Sequence, residues 1–181
     1  MDRFGNLIEK MILARINTRR VLRYALYMFL SLLAQTMVLN RLRIAGVCPL
    51  VLPAVAVAVG MFEGATWGAL FSLLMGIFAD MAFIENGVLF TVLFPALAFA
   101  SGFVSQFFIN RRFFAYMGAA LLGLAITALG QMLHTSTMDG FSGAMLSTVL
   151  LQTLWSLPLA ALAYIFPARW SRFAPVSKGE S

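Results

Sequence analysis

Few residues in this sequence could do chemistry, and they do not assemble into a reactive set. Asp80 closes a row of small residues, Gly64, Gly68, Ser72 and Gly76, at strict four-residue intervals in "GATWGALFSLLMGIFAD". Paired carboxylates can divide general acid and base work between them. Asp80 and Glu85 are five residues apart, about 140° around a continuous helix, and so would not share one substrate. A serine and a histidine could serve as nucleophile and base. His134 precedes Ser142-Gly143 by eight residues, the reverse of the order in an intramembrane serine protease, and the G-x-S-G motif is missing. One histidine and one cysteine, Cys48, give no zinc motif such as H-E-x-x-H and no internal disulfide. With no P-loop and no G-x-G-x-x-G, nucleotide chemistry is not indicated. The expectation is a non-enzyme with no metal and no cofactor.

The elements that position these residues follow from composition. Of 181 residues, 61% are hydrophobic and 11% charged, with a mean hydropathy of +0.90. Soluble domains carry roughly a quarter charged residues, and a chain this short cannot hide so much apolar surface from water. The bilayer is its solvent, and the fold class is all-α integral membrane. Six apolar runs, 22–39, 44–62, 64–84, 87–109, 113–133 and 144–166, are each about long enough to cross some 30 Å of hydrocarbon. The links between them are short, so successive spans are antiparallel neighbours. Glu63 alone separates the second run from the third, which makes 44–84 a helical hairpin.

The net charge of +6 reads as topology rather than as nucleic-acid binding, because the basic residues flank apolar runs. With the N-terminus inside, Arg3, Lys10, Arg15, Arg19, Arg20, Arg23, Arg111, Arg112, Arg169, Arg172 and Lys178 face the cytoplasm, and only Arg41 and Arg43 lie outside. That bias predicts six transmembrane helices with both termini inside. Residues 1–20 form an amphipathic basic helix, with Phe4, Leu7, Ile8, Met11 and Ile12 on one face, lying on the membrane surface. The six-helix domain occupies 21–167, and 168–181 is a basic, polar tail. Tyr24, Trp67, Tyr116, Tyr164 and Trp170 fall near the inner ends of spans, where amphipathic rings favour the interface.

Membrane helices associate through close backbone approach and polar bonds. The row Gly64, Gly68, Ser72 and Gly76 is therefore a packing ridge. It drifts about 40° per step, which predicts the third span as the hub of the bundle. Asp80 lies about 24 Å beyond Gly64 by helix rise, in the outer third of the membrane, where a carboxylate needs a partner. Gln35, Gln131, His134 and Gln152 map to the same outer half, and Glu85 and Asn86 follow in the outer link. Together they suggest a polar, outward-facing cavity that binds a partner. The inner half offers mainly Ser101, Ser105 and Gln106. On this reading Gly68→Leu or Gly76→Leu disrupts helix approach, while Asp80→Asn is milder for folding but harms assembly if Asp80 bonds across the interface with a partner.

These residues carry a resemblance. The stretches "LLAQTMVLNRL", "GVCPLVLPAVAVAVGMFEG", "WGALFSLLMGIFADM" and "ENGVLFTVLF", followed by the basic "NRR", resemble the rod shape-determining membrane protein family MreD over nearly all of the chain after residue 20. The glycine row closing on Asp80 is the most specific part. Leu50 follows Pro49 where the family more often has an acid. The resemblance implies a non-enzymatic scaffold of bacterial cell elongation in the cytoplasmic (inner) membrane. The single-span protein MreC would be its direct partner, with MreB and peptidoglycan synthase components nearby and self-association possible within a MreC–MreD assembly. It also implies a fold similar to the substrate-binding subunits of energy-coupling-factor vitamin transporters, whose function is the alternative reading.

Overall fold

The computed structural model describes residues 18–42, 47–83, 87–107, 113–140 and 142–171. Among the described residues the regular structure is helical, with one helix for each apolar run: α1 Thr18–Leu33, α2 Leu52–Glu63, α3 Ala65–Ala82, α4 Leu89–Phe107, α5 Phe113–Asp139 and α6 Gly143–Ser171. A π-helical stretch, Ala34–Val38, and a 3-10 turn, Leu39–Arg41, extend α1. Four of these segments are long and apolar enough to cross a membrane, namely Val21–Arg41, Ala65–Ala82, Phe113–Thr137 and Met145–Arg169. Leu52–Glu63 and Leu89–Ser105 are shorter apolar helices. This is the make-up of a multi-pass membrane protein. Residues 1–17 of the expected amphipathic segment, most of the expected polar tail, and Arg111 and Arg112 lie outside the described residues.

Helix α2 starts on Pro53, whose missing N–H costs nothing in a first turn. It ends at Gly64, which has φ +93° and so adopts a left-handed conformation that other residues resist. That single residue turns the chain directly into α3, as the tight spacing predicts. Contacts further along fix one common end for several helices. Tyr24 of α1 bonds Glu63 of α2, and Phe62 packs on Tyr164 of α6, which in turn meets Phe113 of α5. At the opposite end Asp80 bonds the start of α4, and Gln131 of α5 bonds Gln152 of α6.

The hub is α2 and not, as expected, α3. Every residue from Leu52 to Phe62 is buried, and α2 touches each of the other five helices. Its sequence, "LPAVAVAVGMF", is small and apolar all round, which suits a helix enclosed on every side. On α3 only the strip through Ala65, Gly68, Ser72, Met75, Gly76 and Ala79 is buried. Trp67, Leu70, Leu74, Phe78 and Met81 face outward. A row of small residues marks where neighbours approach closely but does not say how many surround the helix.

The row does face protein. A Cβ on Gly68 would stand 2.4 Å from Gly60 Cα, and one on Gly76 would stand 2.5 Å from the Phe90 carbonyl oxygen. Gly102 of α4 closes on Ala65 and Gly60 in the same way. Along this seam Ser101 and Ser105 of α4 point at the Val57 and Met61 carbonyls of α2, at 3.3 and 3.2 Å. The two serines are four residues apart, as are the two carbonyls, because α2 and α4 run parallel.

At 12 residues, α2 rises only about 18 Å, short of the hydrocarbon thickness of about 30 Å. The described part of the run 44–62 is thus not helical throughout, and residues 47–51 are irregular backbone.

Candidate functional site

Irregular backbone at membrane depth must find hydrogen bonds inside the protein, and this requirement organises the polar residues of the Asp80 end. Gln35 is 2% exposed. Its Nε2 donates to the Pro49 carbonyl at 2.8 Å, and its Oε1 accepts from the Val51 N–H at 2.9 Å. From the other side, Ser156 Oγ accepts from the Leu50 N–H at 2.8 Å and donates to the Gln152 carbonyl at 2.7 Å. Gln152 Nε2 donates to Gln131 Oε1 at 3.2 Å. Of the glutamines singled out by depth, Gln152 and Gln131 meet each other, and Gln35 meets the backbone of Pro49 and Val51. Gln35 and Ser156 thus hold the chain's own segment Pro49–Val51 at the entry to α2.

Asp80 stands apart from this network. Its Oδ1 accepts from the Phe90 N–H at 3.0 Å, and its Oδ2 from the Thr91 N–H at 2.7 Å and the Thr91 hydroxyl at 2.6 Å. These are first-turn groups of α4, whose preceding residue, Val88, has no side-chain oxygen to cap them. Asp80 supplies from α3 the cap that α4 lacks. The positive end of the helix dipole favours the carboxylate there. The glycine row delivers this acid by bringing α3 against α4 at Gly76, one turn earlier.

Glu85 and Asn86 lie outside the described residues. His134 reaches the turn at Gly87, where a Cβ would come within 3.7 Å of its Cε1. Ser142 is exposed at the foot of α6. No cluster of three His, Cys, Asp or Glu occurs among the described residues.

Several residues do structural work that their sequence context does not announce. Ser156, four residues after Gln152 on an apolar helix, was legible as a second polar group on one face. Tyr116 falls at a span end where an interfacial ring is expected, but it is fully buried, its hydroxyl 2.8 Å from the Ala160 carbonyl and 3.2 Å from that of Ala54. Tyr27 donates to the Ala163 carbonyl at 2.8 Å. That carbonyl is orphaned because Pro167, four residues on, has no N–H to offer it.

Between α1 and α6, floored by α2, runs an apolar groove of about 370 Å³ lined by Tyr27, Leu30, Ala34, Val55, Leu162 and Phe166 among others. It opens sideways, toward the surroundings of the bundle. Compared with models of known families, with curated proteins and with solved structures, the chain matches none of them.

Proposed function

We propose that this chain is a MreD-like scaffold of the bacterial rod complex, non-enzymatic, with six crossings of the cytoplasmic membrane and both termini inside. It would bind MreC directly, stand near MreB and peptidoglycan synthase components, and help to set cell shape. One observation carries the reading. The motif with the most specific resemblance, "WGALFSLLMGIFADM", is also the motif that locks the bundle. Gly68 and Gly76 admit the backbones of α2 and α4, and Asp80 caps α4. Polar side chains at membrane depth that could have reacted or bound substrate instead fix helix ends, which suits a rigid platform. Described arginines support the orientation, with Arg23 and Arg169 at the Gly64 end and Arg41 at the other.

The expected seat for a partner changes with this geometry. The small-residue face and the outer glutamines are occupied within the molecule, so a single-span partner meets the outward apolar walls. Co-purification in mild detergent with the MreC of the same cell tests the reading. Recovery of a stoichiometric complex is expected. Failure to recover MreC, with both proteins well expressed and this chain folded, refutes it.

A further inference from the structure

The groove between α1 and α6 has apolar walls, and its few polar groups already have partners. Tyr27 donates to the Ala163 carbonyl, Ser31 to the Tyr27 carbonyl, and Gln35 clamps Pro49 and Val51. From Leu26 to Leu39 it follows α1 for about 20 Å by helix rise. A transmembrane helix about 10 Å across would occupy on the order of 1,500 Å³ over that length. The groove's volume, about 370 Å³, suits a single hydrocarbon chain, and one leaflet is about 15 Å deep.

Both walls end in an arginine at the same mouth. On α1, Arg23 heads the stripe Leu26, Tyr27, Leu30 and Ala34, at spacings of 3, 4, 7 and 11 residues. On α6, Arg169 ends the stripe Leu162 and Phe166, 7 and 3 residues further on. The Tyr27–Ala163 bond sets the two helices in register. From that level Arg23 lies about 6 Å and Arg169 about 9 Å toward the Gly64 end. Both are exposed. The described carboxylate at this end, Glu63, is bonded by Tyr24, whose ring turns to Phe71 of α3, away from the groove.

We propose that this groove is a binding site for one anionic phospholipid of the leaflet at the Gly64 end, with an acyl chain against Val55 and Leu162 and its phosphate held by Arg23 and Arg169. Guanidinium groups bind phosphate in a forked, two-bond geometry. The chain contributes affinity and the arginines contribute headgroup choice. The proposal stands independently of any partner's identity.

The test is native mass spectrometry of the full chain released from nanodiscs of equal parts phosphatidylglycerol and phosphatidylcholine. One retained phosphatidylglycerol per protein is expected. Arg23→Gln with Arg169→Gln should lower the preference over phosphatidylcholine about 25-fold, about five-fold for each charge. Arg41→Gln, at the opposite end, should leave it unchanged. Ala34→Phe, which fills the groove without altering charge, should expel the lipid while thermal unfolding confirms the fold. Equal retention of both lipids overturns the proposal, as does a loss of preference just as large in Arg41→Gln. A photocrosslink from position 30 to a partner's helix in place of lipid also overturns it.

Discussion

Gly68 and Gly118 are both interior helix glycines, and the same substitution at each should act in opposite directions. At Gly68 an added methyl would stand 2.4 Å from Gly60 Cα and 2.9 Å from its nitrogen, where ordinary contact begins at 3.4 Å. These are backbone atoms, so no rotamer change relieves the clash. Gly60 is itself packed closely on α4, since a Cβ there would stand 2.2 Å from the Ala98 carbonyl oxygen, so α2 has little room to shift. At Gly118 nothing lies within 4 Å of the new methyl. Both substitutions gain the same helix preference of about 0.5–1 kcal/mol. The gap between them is therefore the steric cost alone, about 3 kcal/mol at the upper end of overpacking costs. At about 2–4 °C per kcal/mol for a chain of this length, Gly68→Ala should melt roughly 6–12 °C below Gly118→Ala. Thermal unfolding of the two purified variants in mild detergent, followed by tryptophan fluorescence, measures the gap. Melting temperatures within about 2 °C of each other, against the 2–4 °C expected per kcal/mol, would refute the close crossing of α2 and α3.

Two further outcomes are expected from the bonding. Asp80→Asn keeps one acceptor oxygen and turns an amide N–H₂ toward a backbone N–H of α4, so it should cost about 2–4 kcal/mol from charged hydrogen bonds and the helix dipole. The bonds of Asp80 lie within the chain, so the change acts on folding, and hydrogen exchange at Phe90 and Thr91 should accelerate; unchanged exchange there would contradict the cap. Tyr27→Phe orphans the Ala163 carbonyl and should cost about 1–3 kcal/mol. The cost should shrink in a Pro167→Ala background, where a new N–H can serve that carbonyl, so full additivity in this double-mutant cycle argues against the pairing.

What the sequence revealed depended on how local the physics was. The six helices, the one-residue turn at Gly64 and the inward facing of Gly68 and Gly76 all follow from hydropathy and spacing. So does the need for Asp80 to find a partner. The identity of that partner depended on Val88 being a poor cap, which becomes meaningful only once α3 and α4 are adjacent. The small-residue pattern of α3 marks close approach, not centrality, so it does not identify the hub. The unpatterned "LPAVAVAVGMF" was the better sign, since a helix with no polar side has no side to leave uncovered. Depth placed Gln35, Gln131 and Gln152 in one half of the membrane, but rotation about each helix decided that Gln35 holds backbone while Gln131 and Gln152 bond each other. The role of Tyr27 required pairing a proline on one helix with a hydroxyl on another, 136 residues apart in sequence.

The brevity of α2 also bears on how the chain enters the bilayer. A 12-residue segment is too short to be recognised as a crossing by itself, and Gly64 joins it to α3 without slack. The two must be inserted as one unit, with α3 supplying most of the hydrophobic drive. The buried end of α2 then waits for Ser156, which is synthesised more than a hundred residues later, to satisfy the Leu50 N–H. Truncated chains ending before α6 would leave that amide bare in hydrocarbon, so quality-control proteases should clear them before they accumulate.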